Sequence, residues 1–194
     1  MIYFTSDTHF ADPRIDLLNR PFESVDEMND TIYNNLYDTL KEDDILYHLG
    51  DVSSRHTNLY LQLGWVERFR HLKCKQKYLI LGNHDIILTP GQYEYYGNFK
   101  VIPPQSIDID KYSFYCVHTP VDASESDFNL VGHIHGAWKI QRNMLNVGVD
   151  VWHYRPVSLD KILNTYSSIC EYHDKNAFAG ELSQNLSTKR YNSL

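Results

Sequence analysis

Three short apolar runs, each ending in polar residues, constrain the fold of this chain more than any other feature. They are IYFTS at residues 2–6, DILYHL at 44–49 and KYLIL at 77–81. Short runs of this kind are typical of strands that are buried on both faces of a sheet. Helical spacing between the runs completes a predicted β-α-β-α-β order.

The intervening stretches carry helix signals. Ser24 followed by Glu27 is a capping signal. Apolar residues then recur every three or four positions as far as Leu40, which predicts an amphipathic helix. A second helix is expected around residues 58–72.

The second half of the chain is richer in strand signals, which turn-like residues separate. The candidate strands lie at residues 99–103, 106–110, 112–118, 128–132 and 143–149. A late helix is expected from about residue 158 to 167. Two packed sheets with helices outside would account for this order.

Composition limits the classes that the chain can belong to. Its 194 residues, 42% of them hydrophobic, suit one globular domain. We expect that domain at 1–178 and a polar, aperiodic tail at 179–194. No apolar run could span a membrane, and the N-terminus reaches Asp7 too soon for a signal peptide, so we expect a cytoplasmic protein.

Charge and cysteine usage narrow the expected partners. The net charge is −7 and no long Lys/Arg block occurs, which argues against broad binding to nucleic acid or anionic lipid. The three cysteines are widely spaced without a C-x-x-C motif. They are therefore interpreted as ordinary thiols in a reducing compartment.

Polar clusters follow the predicted strands. Open α/β sheets place their ligand sites beyond the carboxyl ends of strands, so these clusters should converge. Taken singly, each has an ordinary explanation, since a strand-end Asp can cap a helix and a histidine can simply pack. Five clusters in order are hard to explain that way. They are Asp7 with His9, Gly50 with Asp51, the run from Gly82 to Asp85, His118, and His133 with His135.

The stretch VGHIHG at 131–136 is the most suggestive cluster. At a strand end, alternation would place His133 and His135 on one face, with Cα atoms roughly 6.6 Å apart. Gly132 and Gly136 would let the backbone turn and a bulky group approach. A metal ion is the obvious candidate, and a pair of surface histidines beside a turn is the alternative.

The ordered set D-x-H, G-D, G-N-H-D, H and G-H-x-H resembles the signature of calcineurin-like metallophosphoesterases. The tracts NRPF at 19–22, YHLGDV at 47–52 and NVGVDVWHYRPVSL at 146–159 are similar to a small single-domain subgroup of bacteria and phages. This resemblance implies an α/β fold of the metallo-dependent phosphatase type. The expected architecture is a four-layer αββα sandwich of two mixed β-sheets flanked by helices.

The resemblance also implies two divalent metal ions that share Asp51. The implied ligands of one ion are Asp7, His9, Asp51 and His135. Those of the other are Asp51, Asn83, His118 and His133. Carboxylate, amide and imidazole donors without thiolate suit Mn²⁺, the first choice here, as well as Fe, Ni, Co or Zn.

His84 resembles the catalytic histidine of that family. It would stabilise or protonate the leaving oxygen, with Asp51 or Asp85 as a candidate orienting partner. The implied reaction is hydrolysis of a phosphodiester, or of a phosphomonoester, by a metal-bridging hydroxide. The expected partner is a small phosphorylated, nucleotide-like substrate.

Two other functions are compatible with the resemblance. Some family members are nucleases, but this chain has no basic stripe with interleaved aromatic residues. Others keep the fold as a protein-binding scaffold, but a degraded site should lack a ligand or the catalytic histidine, and all eight positions are present here.

Several further residues have less certain roles. His48 is expected to pack or to support the site. Arg20 and Arg155 are each expected either to contact phosphate or to fix a loop. The subgroup pattern G-H-x-N is replaced by residues 11–14, ADPR, which puts substrate preference in question. Selection among substrates is expected in the loops at 11–24, 53–58, 89–98 and 119–127.

Overall fold

Two five-stranded sheets form the centre of this computed structural model, which describes residues 1–172. The expected tail at 179–194 lies outside the described residues, and the domain boundary at residue 178 stays a prediction. No helix in the described part is both long enough and apolar enough to span a membrane.

The first sheet has the order β10-β1-β2-β3-β4. Its strands are β1 (Ile2–Thr5), β2 (Ile45–His48), β3 (Gln76–Leu79), β4 (Lys100–Val101) and β10 (Val157–Ser158). The first four are parallel, and β10 runs antiparallel to β1. The three apolar runs of the first half therefore form neighbouring parallel strands, as their pattern predicts.

The second sheet has the order β5-β6-β7-β9-β8 and mixes parallel and antiparallel pairs. Its strands are β5 (Gln105–Ile109), β6 (Tyr112–Cys116), β7 (Phe128–Val131), β8 (Ile140–Gln141) and β9 (Met144–Asn146). Neither β8 nor β10 was expected, because a two-residue strand is too short to show an alternating pattern.

Five helices accompany the sheets in the described part of the chain. They are α1 (Ile15–Leu18), α2 (Val25–Thr39), α3 (Leu59–Arg68), α4 (Pro90–Gly97) and α5 (Leu159–Tyr172). The helix expected at 58–72 is shorter, since a 3-10 turn at Phe69–His71 follows α3. Segments 11–24 and 89–98 were expected to be loops, but they contain α1 and α4.

Local capping explains where two helices begin. Ser24 accepts a hydrogen bond from the Glu27 backbone N–H, as predicted, although the Glu27 carboxylate accepts from Glu23 and not from Ser24. α4 begins with a complete capping box between Thr89 and Gln92. That T-x-x-Q signal is visible in the sequence and would have located α4.

Two cores hold the layers together. Met28, Ile32 and Val66 belong to the core between the first sheet and α2 to α4. Phe4 and Phe114 belong to the core between the two sheets, where α5 also packs. Two mixed sheets flanked by helices confirm the expected fold class. Cys74 and Cys116 are free thiols, as expected; the side chain of Cys170 lies outside the described residues.

Candidate metal centre

Polar residues at the ends of five strands meet at one edge of the two sheets. β1, β2 and β3 are parallel, as are β6 and β7, so each set presents its carboxyl ends together. A bridge between Ser6 and Gly148 connects the segments beyond β1 and β9. The predicted residues that gather there are Asp7, His9, Asp51, Asn83, His84, His118, His133 and His135.

Left-handed backbone conformations shape much of this cluster. Five of its residues have φ between 48° and 74°. They are Asp7, His9, Asp51, His133 and His135. Such conformations cost about 1–3 kcal/mol each and persist where surrounding contacts impose them, often at functional sites. Residue type alone does not reveal them.

The two histidines of G-H-I-H are positioned by a turn. β7 ends at Val131, so strand alternation does not govern His133 and His135, and that expectation is wrong. Their rings enter different parts of the site. The Nδ1 atom of His133 lies 2.8 Å from Oδ1 of Asn83, whereas the ring of His135 stacks on His9.

Close packing explains two glycines near the site but not a third. A Cβ at Gly132 would lie 2.8 Å from Oδ2 of Asp7, and one at Gly82 would clash with Oδ1 of Asp51. A Cβ at Gly136 would have no atom within 4 Å. A side chain at position 132 would therefore clash with its surroundings, as expected, whereas a side chain at position 136 would not.

Asp7, His9 and His135 form what we call the inner group, in which the ligand atoms lie within 4.8 Å of one another. Asp7 and His9 are 0% and 1% exposed. The ring centroids of His9 and His135 lie 4.8 Å apart. Neither ring nitrogen of His9 has a hydrogen-bond partner within the described part of the chain.

Asn83, His118 and His133 form the outer group. Oδ1 of Asn83 lies 3.1 Å from Nε2 of His118 and 2.8 Å from Nδ1 of His133. Asn83 and His133 are exposed, whereas His118 is buried. The polar atoms of this group therefore contact each other where the buried His118 meets the exposed Asn83 and His133.

Asp51 lies between the two groups. Its Oδ2 is 3.4 Å from Nε2 of His9 and 3.4 Å from Nε2 of His118. Its Oδ1 accepts a hydrogen bond from the backbone N–H of His84 at 2.7 Å. One carboxylate thus reaches the inner and the outer group at once.

His84 lies beside the inner group and is nearly buried. Its ring meets the His9 ring edge-on, with centroids 4.6 Å apart. Its Nδ1 accepts a hydrogen bond from the backbone N–H of Arg55 at 3.4 Å. The described contacts of this ring therefore do not include the expected hydrogen bond to Asp51 or Asp85.

Asp85 instead holds the backbone beneath the site. Its carboxylate accepts N–H bonds from Asp51, Val52 and Gly82 at 2.7, 3.0 and 2.9 Å. The hydroxyl of Tyr93 donates to it at 2.9 Å. Burial, together with the charge of Asp51, raises the pKa of Asp85 to about 6.

The electrostatics of the cluster favour a cation. Burial lowers the pKa of His9 well below its ordinary value, so this imidazole is neutral. Burial also opposes the charge of Asp51, but His118 outweighs that effect and holds the pKa of the carboxyl well below its usual range. Burial lowers the pKa of His118, yet Asp51 and Asp7 raise it overall to about 9. The carboxylates thus stabilise positive charge at this position.

Arg20 is a buried structural cation. Its Nε and Nη2 bind both oxygens of Asp150 at 2.8 and 2.9 Å. Nη2 and Nη1 donate to the backbone carbonyls of Asp7 and Thr8 at 2.6 and 3.2 Å. Of the two roles expected for Arg20, the structure therefore shows the one in which it fixes a loop. Asp150 in turn lies 3.7 Å from Nδ1 of His135.

His48 has the packing role expected of it. It is fully buried, its Nε2 lies 3.1 Å from Oγ1 of Thr8, and its ring packs against Phe69. Arg155 is exposed, and no described contact joins its side chain to the site.

Two carboxylates beside the histidines were not expected. One is Asp150, although its tract, NVGVDVW, was among those that carry the resemblance. The other is Asp12, whose Oδ2 lies 3.8 Å from Nδ1 of His9. Arg14 binds both oxygens of Asp12, at 3.1 and 2.9 Å. Residues 11–14, which differ from the subgroup pattern G-H-x-N, therefore place an ion pair next to the inner group.

These residues fit divalent metal ions. Asp51 and His9 are already in the ionised and neutral forms that coordinate metals, whereas His118 would release its proton when a metal binds. Buried polar groups nearly always have hydrogen-bond partners, so the two ring nitrogens of His9 need an explanation. A cation between His9 and the carboxylates would explain why these nitrogens have no hydrogen-bond partner.

The fold and this polar edge define a protein of the metallophosphatase class. The chain matches the calcineurin-like phosphoesterase family over residues 1–180, and it belongs to that family. Membership supports a hydrolase of phosphoric esters that binds divalent metal.

Two relatives and one solved structure are similar to this chain. An uncharacterized protein of Methanocaldococcus jannaschii is 33% identical over 174 residues, covering 84% of this chain and 89% of that protein. The gene 66 protein of Mycobacterium phage L5 is 33% identical over 84 residues, covering 43% of this chain and 39% of that protein. The structure of a protein of unknown function from Aquifex aeolicus shares the fold, with a TM-score of 0.66, 24% identity and coverage of 85% and 98%.

Proposed function

We propose that this chain hydrolyses a phosphodiester, or a phosphomonoester, in a small nucleotide-like substrate at a dinuclear metal site. The observation that carries the proposal is His9. It is 1% exposed, and neither of its ring nitrogens has a hydrogen-bond partner in the described part. It also faces Asp7 and Asp51, with its Nε2 3.9 and 3.4 Å from their carboxylate oxygens. A buried imidazole in this setting is suited to bind a metal ion.

The two groups would each hold one ion. The inner group with Asp51 would bind the first, and the outer group with Asp51 the second. This division is supported by two sets of ligand atoms that lie within 4.8 Å of one another, Asp7 with His9 and His135, and Asp51 with His118 and His133. A third such set, His9 with Asp51 and His84, lies between them. Mn²⁺ is our first choice among the metals that suit these donors.

Bound divalent ions lower the pKa of a coordinated water and bind phosphoryl oxygens. Asp7 and Asp51 offset about half of the four positive charges of two such ions by formal count. The site would therefore attract phosphate, even though the chain as a whole carries −7.

His84 would act on the leaving oxygen. The Arg55 backbone N–H donates to Nδ1 of His84, so Nδ1 is an acceptor and the neutral ring carries its proton on Nε2. Burial lowers the pKa of His84, which favours this neutral form. The Nε2–H group can then donate to the leaving oxygen as negative charge develops there.

The first test compares bis-p-nitrophenyl phosphate with p-nitrophenyl phosphate, using protein stripped with chelator and reloaded with Mn²⁺. Metal-dependent cleavage of either ester supports the proposal, and the faster ester identifies diester or monoester preference. No cleavage with Mn²⁺, Fe²⁺, Co²⁺, Ni²⁺ or Zn²⁺ would contradict it. Metal content would then be measured, since a chain that binds no metal would favour the scaffold alternative.

A further inference from the structure

An open groove leads away from the inner group. Its volume is about 590 Å³, and its walls come from α1, from the turn at 134–137 and from residues 150 and 154. His135 belongs both to the groove wall and to the inner group. A substrate bound at the candidate metal centre would therefore have this groove beside it.

The walls of the groove combine apolar and polar surface. Leu17, Leu18, Ile134, Ala137 and Tyr154 supply hydrocarbon or aromatic surface. Leu17 is 75% exposed, so much of its side chain is free to contact a bound group. Sites for small organic molecules combine apolar surface with polar groups that orient the molecule.

The charged residues of the groove are already neutralised. Asp150 is paired with Arg20, and Arg14 is paired with Asp12. The groove therefore offers little net charge to attract a second phosphate. The bonds of Arg14 to Asp12 use Nε and Nη2, and Nη1 makes no hydrogen bond to any residue within 1–172. That Nη1 can donate to an acceptor atom of a bound group.

His84 is not among the residues that line the groove. The face of the His9 ring stacks on His135, with an interplanar angle of 25°, whereas the His84 ring meets it edge-on at 88°. If the leaving alcohol departs beside His84, the groove is left for the other substituent on phosphorus.

We propose that the groove between α1 and the turn at 134–137 binds the uncharged, planar organic group of the alcohol that stays on phosphorus. The substrate is then a diester whose retained alcohol is nucleoside-like or aromatic. This proposal rests on the proposed phosphoesterase function, which it deepens by stating where substrate selection occurs.

Three p-nitrophenyl diesters with the same leaving group test the proposal. Their retained groups are methyl, phenyl and thymidine joined through its 5′ oxygen. With Mn²⁺-loaded protein we expect kcat/KM for the phenyl and thymidine esters to exceed that for the methyl ester by roughly tenfold or more. Equal values for all three would overturn the groove proposal alone. Failure to cleave all three diesters while p-nitrophenyl phosphate is cleaved would also overturn the groove proposal, and failure to cleave any of the four esters would count against the proposed function itself.

Two variants locate the preference. Leu17→Gln should lower the ratio of phenyl to methyl kcat/KM by about threefold or more, because it makes the wall polar. Leu61→Gln is the matched control, since Leu61 is an exposed leucine of α3 that does not line the groove. Arg14→Gln should lower kcat/KM for the thymidine ester more than for the phenyl ester, because only thymine offers hydrogen-bond acceptors. Unchanged ratios in both groove variants would contradict the assignment.

A binding measurement tests the groove without turnover. Thymidine 5′-monophosphate added to Zn²⁺-loaded protein should shift the amide NMR signals of residues 14–19, and inorganic phosphate should not. Residues 134–137 adjoin the proposed metal ligand His135 and should respond to both. Shifts confined to residues 53–58, next to His84, would place the organic group elsewhere and would overturn the proposal.

Discussion

The inner and outer groups of the candidate metal centre use similar side chains in different surroundings. Asp7 and His9 of the inner group are fully buried, and both ring nitrogens of His9 are without a hydrogen bond in the described part. Asn83 and His133 of the outer group are exposed and contact each other. The inner group is also braced by the buried pair of Arg20 and Asp150, whereas no such ion pair is described behind the outer group.

This difference in burial and hydrogen bonding predicts how tightly each group should bind metal. An unsatisfied buried polar group costs about 1–3 kcal/mol, and metal binding at His9 would remove that cost. The outer group would instead give up its existing contacts and its hydration. We therefore expect two unequal binding steps, the tighter at the inner group.

Asp51→Asn should have the largest effect, because Asp51 reaches both groups. Metal content should fall from two ions per chain towards none. Turnover should fall by at least about a thousandfold, since bound metal supplies several kcal/mol of transition-state stabilisation. Elemental analysis after gel filtration and steady-state kinetics measure both quantities. Asp43→Asn, an exposed carboxylate, is the control. An unchanged metal content would contradict a shared role for Asp51.

His84→Asn should separate chemistry from metal binding. His84 lies beside the inner group but is not among its proposed ligands, so both binding steps should remain. The loss of its proton donor should lower kcat by about 10² to 10⁴. Calorimetric titration with Mn²⁺ and kcat would be measured on the same sample. Normal kcat would remove His84 from the mechanism.

His9→Gln and His133→Gln compare the two groups directly. In titration of chelator-stripped protein with Mn²⁺, His9→Gln should remove the tight step and His133→Gln the weak one. The physical reason is that each imidazole belongs to only one group. If both variants lose the same step, the division into inner and outer groups is wrong.

Asp150→Asn should have the smallest effect. Asp150 is 3.7 Å from Nδ1 of His135, so it would position that ring for the inner ion. Loss of such a supporting carboxylate typically costs about 10- to 100-fold in metal affinity, here expected only in the tight step. Asp44→Asn is a matched control, because Asp44 forms an ion pair with the N-terminal ammonium. Equal weakening in both variants would indicate general destabilisation instead.

Much of the fold was predictable because its signals are local. The apolar runs that became β1, β2 and β3 are short and continuous, and Ser24 caps α2 as its sequence indicates. The two-residue strands β8 and β10 could not be predicted, since they exist only through pairing with β9 and β1. α4 was missed although its capping box was present in the sequence.

The site was predictable as a set of residues but not as an arrangement. Neither Asp12 nor Asp150 carries a local mark of its place beside His9 and His135. The contacts of Asp85 with the backbone of residues 51 and 52 join segments that are more than 30 positions apart in the chain.

The sequence by itself determined that eight polar side chains would follow strand ends and gather at one edge of the sheets. It could do so because parallel strands bring their carboxyl ends to one edge whatever the loops do. Only the tertiary structure decided which imidazoles are buried without partners, which carboxylates stand behind them and where a groove opens next to His135. Those properties depend on distances and solvent exclusion between distant segments, and on left-handed turns at residues such as Asp7 and His133 that packing imposes.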